Sequence, residues 1–241
     1  MNKYEITKRI EKFAPPETQE KWDCSGWLVE TENQDIKKIM LCLTVTDDVV
    51  RQAREQNCDM IVSHHPLFTV PLGFSPIKVS DTSGYKPLDI YCAHTNLDRA
   101  QGGTTDTLIK TLGLAKFIVA NSDEGFVRYI NYETSLQDFV ERLKKISPHL
   151  RYVNNKGVTK LKRMAFCAGS GTEFIQEAFE NGADALVTGD LKFHTALDSP
   201  IVVFDIGHFE SEVLVLSVFE QIIGNGIGFV YAKEKSPFIS I

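Results

Sequence analysis

No apolar run in the 241 residues approaches the roughly 18 that a membrane-crossing helix requires, so no spanning helix is expected. The opening stretch, Met1 to Ile10, lacks the pattern of a signal peptide and mixes charges with apolar residues at helical spacing; a cytoplasmic location is expected. The five cysteines, Cys24, Cys42, Cys58, Cys92 and Cys167, are odd in number and include no C-x-x-C pair. That argues against a disulfide framework and for reduced, structural thiols in a reducing compartment. Basic residues are outnumbered, with 26 Lys and Arg against 32 Asp and Glu, for a net charge of -6. The electrostatic footprint of a nucleic-acid binder is therefore missing, and the one basic cluster, Lys156 to Arg163, reads as a solvated hairpin. Low-complexity tracts and disordered linkers are also lacking. Hydrophobic residues make up 43% of the chain and charged ones 24%, enough for one large domain or two small ones with real cores.

What the chain does have is internal repetition. At an offset of 125 residues, Leu41-Cys42-Leu43 lies over Phe166-Cys167-Ala168 as a first strand. Val49, Val50 and Ala53 lie over Phe174, Ile175 and Ala178, the buried stripe of a following helix. Asn57 lies over Gly182, and both types accept the left-handed conformation that ends helices. Asp59 to Ser63 then overlies Asp184 to Thr188 as a second strand. Strand, helix and strand at these lengths predict a βαβ unit with parallel strands, present twice. At an offset of 114, Leu88 to Cys92 before His94 resembles Val202 to Asp205 before His208. Further strands are predicted over 126–132, 150–153 and 161–167, with helices over 104–112, 135–145 and 210–223. A Gly-, Pro- and Ser-rich loop around 71–86 is a candidate rim or lid.

Four of the six histidines fall at predicted strand ends. His64 and His65 close the apolar run Ile61-Val62-Ser63; His94 precedes Asp98 by four residues, and His208 precedes Glu212 by four. Successive strand side chains point to opposite faces, so without a sharp turn His64 and His65 would straddle a site for two ions. If His208 and Glu212 begin a helix, i and i+4 share a face and both reach one site. Glu212, with the longer side chain, is the candidate bridge: one metal would take His65, Asp98 and Glu212, the other His64, His208 and Glu212. Three protein ligands each leave open positions, the mark of a catalytic rather than a structural site. Two divalent ions against two carboxylates leave a local charge of about +2, which suits phosphate-bearing ligands. Mixed nitrogen and oxygen donors fit zinc, iron or manganese. His94 and Asn96 are placed as proton carrier or supporting residues and are the candidate catalytic pair. Asp190 and His194 occupy the stretch of the second copy that parallels the double histidine, and their role stays open. His149 reads as solvated. Gly169-Ser170-Gly171 could cradle an anion before a helix, although tight βα turns need glycine in any case.

With these residues in view, the chain resembles the Nif-three-like family (NGG-one-interacting factor three), whose members are often labelled GTP cyclohydrolase I type 2 homologues. The resemblance rests on Trp22-Asp23, Ser63-His64-His65-Pro66, Ala93-His94-Thr95-Asn96-Leu97-Asp98, Ala168-Gly169-Ser170-Gly171, Thr188-Gly189-Asp190 and Gly207-His208 with Glu212. It implies an α/β fold of two intertwined, three-layer lobes with a dinuclear metal site between them, and a ring-shaped homohexamer. It also implies His64, His65, Asp98, His208 and Glu212 as the metal ligands. The lobes are drawn as residues 1–115 with 200–241, carrying most ligands, and 116–199. Departures from the family pattern are Cys24 after Trp22-Asp23, Thr44 where aspartate is common, and Glu30 where glycine is common. The expected activity is metal-dependent hydrolysis of a nucleotide or other phosphorylated small molecule, with GTP ring opening as the family-suggested case. The rival expectation is a metal-binding ring scaffold without turnover.

Overall fold

A computed structural model describes residues 1–67, 77–79, 87–122 and 125–239. The candidate lid at 71–86 lies outside the described residues, except for a short strand at Ile77–Val79. The chain divides into two compact units. The first holds Met1–Gly103 and Val215–Lys235; the second holds Thr104–Leu214 and the tail from Ser236.

In the first unit the chain runs α1 (Lys3–Phe13), β1 (Gly26–Thr31), β2 (Lys38–Cys42), α2 (Asp47–Glu55), β3 (Met60–Ser63), β4 (Ile77–Val79), β5 (Asp89–Cys92) and α3 (Thr95–Arg99). The second unit follows with α4 (Thr104–Thr111), β6 (Ile118–Asn121), β7 (Arg128–Ser135), α5 (Leu136–Leu143), β8 (Arg151–Val153), β9 (Lys160–Ser170), α6 (Ile175–Glu180), β10 (Ala185–Gly189), α7 (Phe193–Asp198), β11 (Val202–Asp205) and α8 (His208–Glu212). The chain then returns to the first unit as α9 (Leu216–Ile223) and β12 (Gly228–Tyr231). Each unit is built on a six-stranded mixed sheet, ordered β12-β2-β3-β5-β1-β4 in the first and β6-β7-β9-β10-β11-β8 in the second.

The central strands are parallel: β2 with β3 and β3 with β5 in the first unit, β9 with β10 and β10 with β11 in the second. Their sequences are continuous apolar runs because both faces are covered. In the second unit Met164 and Phe166 of β9, Val187 of β10 and Phe204 of β11 join one core with Leu108, Ile109 and Phe139 from α4 and α5. The alternate residues Ala165, Cys167, Leu186 and Val203 join another core with Ile175 and Ala178 of α6. Each buried phenylalanine contributes about 1.5–3 kcal/mol of transfer free energy.

The helix ends and the turns into the next strands are built alike in the two units, though the helix starts differ: α6 has no side-chain cap, whereas Thr46 caps α2 by accepting from the Val49 N–H. The helix closes with Cys58 N–H donating to Ala53 O (2.9 Å) and Asn57 N–H to Arg54 O (3.0 Å), with Asn57 at φ +53. In the second unit Ala183 N–H donates to Ala178 O (2.9 Å) and Gly182 N–H to Phe179 O (2.9 Å), with Gly182 at φ +74. Asp59 Oδ2 accepts from the N–H groups of Lys37 and Lys38, and Asp184 Oδ2 from those of Lys162 and Arg163, at 2.7 and 3.0 Å in both cases.

Several sequence expectations are corrected. The units divide after Gly103 and after Leu214, not at 115 and 200. Leu108 and Ile109 of α4 pack into the second unit's core, and β11 pairs with β10 along its length, so both segments fold with that unit. The helix expected over 210–223 starts earlier, at His208, and is broken by a tight turn at Val213–Val215 before α9. Strands β1, β6 and β12 had no sequence signal. β6 and β12 are half-exposed and lie at sheet edges, where the apolar pattern weakens.

Candidate metal centre

The predicted site residues follow the C-terminal ends of parallel strands, where α/β sheets place their ligands. In the first unit His64 and His65 come directly after β3, which ends at Ser63. The strand alternation expected to separate them no longer applies there. Ser63 Oγ donates to His65 O (2.9 Å) and His65 N–H to Leu43 O (2.8 Å), and the two imidazole centroids end 5.1 Å apart. His94 follows β5 and caps α3; its ring centroid lies 5.2 Å from that of His64 and 5.5 Å from that of His65. One ligand atom from each of His64, His65 and His94 can be chosen so that all three lie within 4.8 Å of one another.

Asp98, one turn into α3, places Oδ1 3.5 Å from Nε2 of His64. Within this unit the Asp98 carboxylate thus faces His64. His64 is fully buried, whereas His65 sits at the half-exposed edge of the turn beside Thr44.

In the second unit Gly207 at φ +84 turns the chain from β11 into α8, and His208 opens that helix. The i, i+4 expectation holds: His208 Nε2 lies 2.9 Å from Glu212 Oε2. Its Nδ1 lies 2.7 Å from Oδ2 of Asp190, which stands just past β10 at φ +57. Burial works against an imidazolium at His208, but Glu212 and Asp190 outweigh it and lift the group to about 9. Room for the buried Glu212 carboxylate comes from Gly169: a Cβ there would lie 2.0 Å from Glu212 Oε1.

One device recurs at all four histidines. His64 Nδ1 meets Ala93 O (3.0 Å), His65 Nδ1 meets Thr44 Oγ1 (2.8 Å), His94 Nδ1 meets Asp23 Oδ1 (2.9 Å), and His208 Nδ1 meets Asp190. Each ring has Nδ1 engaged by oxygen, which orients it to present Nε2, as metal-binding imidazoles are usually held. Each unit's own donors thus fit a divalent transition metal, with imidazole and carboxylate and no thiolate. Replacing Asp190 with asparagine is expected to weaken zinc binding about 10–100-fold, measured by chelator competition. Unchanged affinity would count against the orienting role.

Asp23, Thr44 and Asp190 are the residues that sequence reasoning missed or left open. Asp190 carried a signal, since it stands 125 residues after His65 in the repeat. Asp23 sat inside the Trp22-Asp23 motif, but nothing tied it to His94. Asn96 is buried, with Nδ2 donating to Ala14 O and Oδ1 accepting from Ser25 Oγ, both at 2.8 Å, so it braces the loop that carries Asp23. His149 and His194 are exposed, and the His194 ring lies against Phe193. The two glycines of the Gly169–Gly171 turn spend their N–H groups internally: Gly169 donates to Ser211 Oγ and Gly171 to Thr188 Oγ1. None of the five cysteines is in a disulfide, and four of them are buried. Among the described residues no helix is long and apolar enough to cross a membrane.

Comparison with known proteins gives a consistent picture. The family model Duf34/NIF3 (NGG1p interacting factor 3) matches residues 1–236. A protein of Clostridium perfringens named "GTP cyclohydrolase 1 type 2 homolog" is 32% identical, covering 97% of this chain and 97% of its own. "NIF3-like protein 1" of Drosophila melanogaster is 29% identical, covering 98% of this chain and 88% of its own. Among solved structures, the hypothetical protein SA1388 of Staphylococcus aureus superposes with a TM-score of 0.82 at 25% identity, covering 100% of this chain and 99% of that one. Reduced HcgD from Methanocaldococcus jannaschii superposes at 0.80, also at 25% identity, covering 97% and 98%.

Proposed function

The chain belongs to the Duf34/NIF3 family, and from that premise we propose that it is a dinuclear metal-binding hydrolase acting on a nucleotide or another phosphorylated small molecule. The observation that carries the reading is the set of four imidazoles, each fixed through Nδ1 and offering Nε2, at the carboxyl ends of parallel strands. His64, His65, Asp98, His208 and Glu212 are the proposed ligands of two divalent ions. When bound, the ions supply Lewis acidity, polarising the bond under attack and acidifying water. The protein's part is to hold the ligand rings in orientation and to leave His94 beside them, as the residue that carries a proton. Asn96, whose amide is spent on Ala14 and Ser25, keeps the loop bearing Asp23 in place.

The same helix closures and aspartate clamps in the two units support an internally duplicated fold. A toroidal homohexamer and a cytoplasmic location belong to the same proposal and rest on the family relationship.

The test is turnover by metal-loaded protein of GTP and a panel of phosphoesters, against the double variant Asp98→Ala, Glu212→Ala. Product from the wild type alone is expected; equal rates in both proteins would sink the hydrolase reading. A second reading, a metal-binding scaffold without turnover, is favoured by one observation. The Gly169–Gly171 turn, the chain's candidate phosphate cradle, has both of its glycine N–H groups taken by Ser211 and Thr188. Tight metal binding with no turnover across the panel would select that reading.

A further inference from the structure

The Asp23 carboxylate is enclosed, with a side-chain exposure of 0%, and it is held on both oxygens. Oδ1 accepts from the Cys24 N–H at 2.7 Å and faces His94 Nδ1 at 2.9 Å. Oδ2 accepts from Thr95 N–H (3.0 Å) and Thr95 Oγ1 (2.5 Å), and lies 3.1 Å from Ser25 Oγ. His94 is held at its backbone as well, its N–H donating to Ser25 Oγ at 3.0 Å. Burial opposes the ionised carboxylate, but His94, Thr95 and the Cys24 N–H more than compensate and hold Asp23 well below the usual carboxylate range. An ionised carboxylate only accepts, so the proton of a neutral His94 must lie on Nδ1. Nε2 then carries the lone pair.

We propose that Asp23 is a positioning residue: it fixes His94 as the Nδ1–H tautomer so that Nε2 serves as the proton acceptor in hydrolysis. This inference rests on the hydrolase reading above. As a water's oxygen bonds to the substrate's electrophilic atom, its O–H bond breaks and the proton passes to Nε2. The departing group then takes that proton as its own bond breaks, and His94 ends neutral as it began. Asp23 stays ionised throughout and stabilises the transient imidazolium, the role a buried carboxylate plays behind a catalytic histidine. Trp22, 62% exposed, stands edge-on to the His94 ring at 6.0 Å and leaves that ring reachable from solvent.

The test is a long-range proton–nitrogen spectrum of full-length zinc-loaded protein labelled in histidine nitrogen, with His94→Ala used for assignment. Wild-type His94 is expected to show a protonated Nδ1 and a lone-pair Nε2. In Asp23→Asn the amide donates to Nδ1, so the two nitrogen signals should trade places while zinc content stays that of the wild type. A wild-type His94 protonated on Nε2 would overturn the proposal without recourse to any variant. So would an unchanged tautomer in Asp23→Asn. Loss of zinc in that variant would overturn it too, by making His94 a ligand. Wild-type protein that binds no zinc would instead sink the metal reading, and the tautomer would still be read from the same spectrum.

Discussion

Gly169→Ala should lower the thermal midpoint by about 6–12 °C and release metal from the protein. The residue sits at φ +68, a conformation that costs an L-residue with a Cβ roughly 1–2 kcal/mol. The added carbon would lie 2.0 Å from Glu212 Oε1 and 3.0 Å from its Cδ, and 3.6 Å from His208 Cε1. Glu212 is only 4% exposed, so it cannot swing into solvent without breaking its pairing with His208. Moving a buried charged group off its partner adds a few kcal/mol, for a total of roughly 3 kcal/mol or more. In a chain of this size each kcal/mol shifts the midpoint by about 2–4 °C. Circular-dichroism melts of metal-free protein, with Ser170→Ala as an exposed neighbouring control, measure the effect. A midpoint within about 2 °C of wild type, together with full metal content, would show that Glu212 is not seated as described.

The second large effect is expected from Glu212→Ala. Removing a proposed ligand should cost more affinity than the about 10–100-fold typical of losing a residue that only orients one. Elemental analysis of protein purified without chelator should show the deficit. The same substitution changes the pH dependence of the metal-free protein, and the sign follows from His208. Its folded value of about 9 lies above the ordinary 6.5. The stabilisation from its pairing with Glu212 and Asp190 is therefore complete below about pH 6.5 and is lost as pH rises through about 9. Urea midpoints of the metal-free wild type should fall across that window, whereas those of Glu212→Ala should fall less. Parallel pH profiles in the two proteins would contradict the pairing. Because a metal ligand must be deprotonated, binding at His208 should also release a proton.

The two βαβ stretches were readable because their information is local. Continuous apolar runs mark strands covered on both faces, Val49 and Ala53 mark a buried helix stripe, and Asn57 and Gly182 mark the helix ends. The spacing from His208 to Glu212 was readable for the same reason, since one helical turn brings them together. The fate of adjacent His64 and His65 was not. Alternation describes side chains within a strand, and β3 ends at Ser63, so the turn that sets the two imidazole centroids 5.1 Å apart lies beyond its reach.

By itself, then, the amino-acid order determined the types of the central strands and their helices and which residue types could hold a metal, since these depend on periodicity and on neighbours a few positions apart. Only the tertiary structure decided that Asp23 serves His94, Thr44 serves His65, Asp190 serves His208 and Asp98 faces His64. Most of these partners are far apart along the chain, 71 residues in the case of Asp23 and His94. No periodic pattern reaches that far; such pairs are chosen by which strand ends the sheet sets side by side.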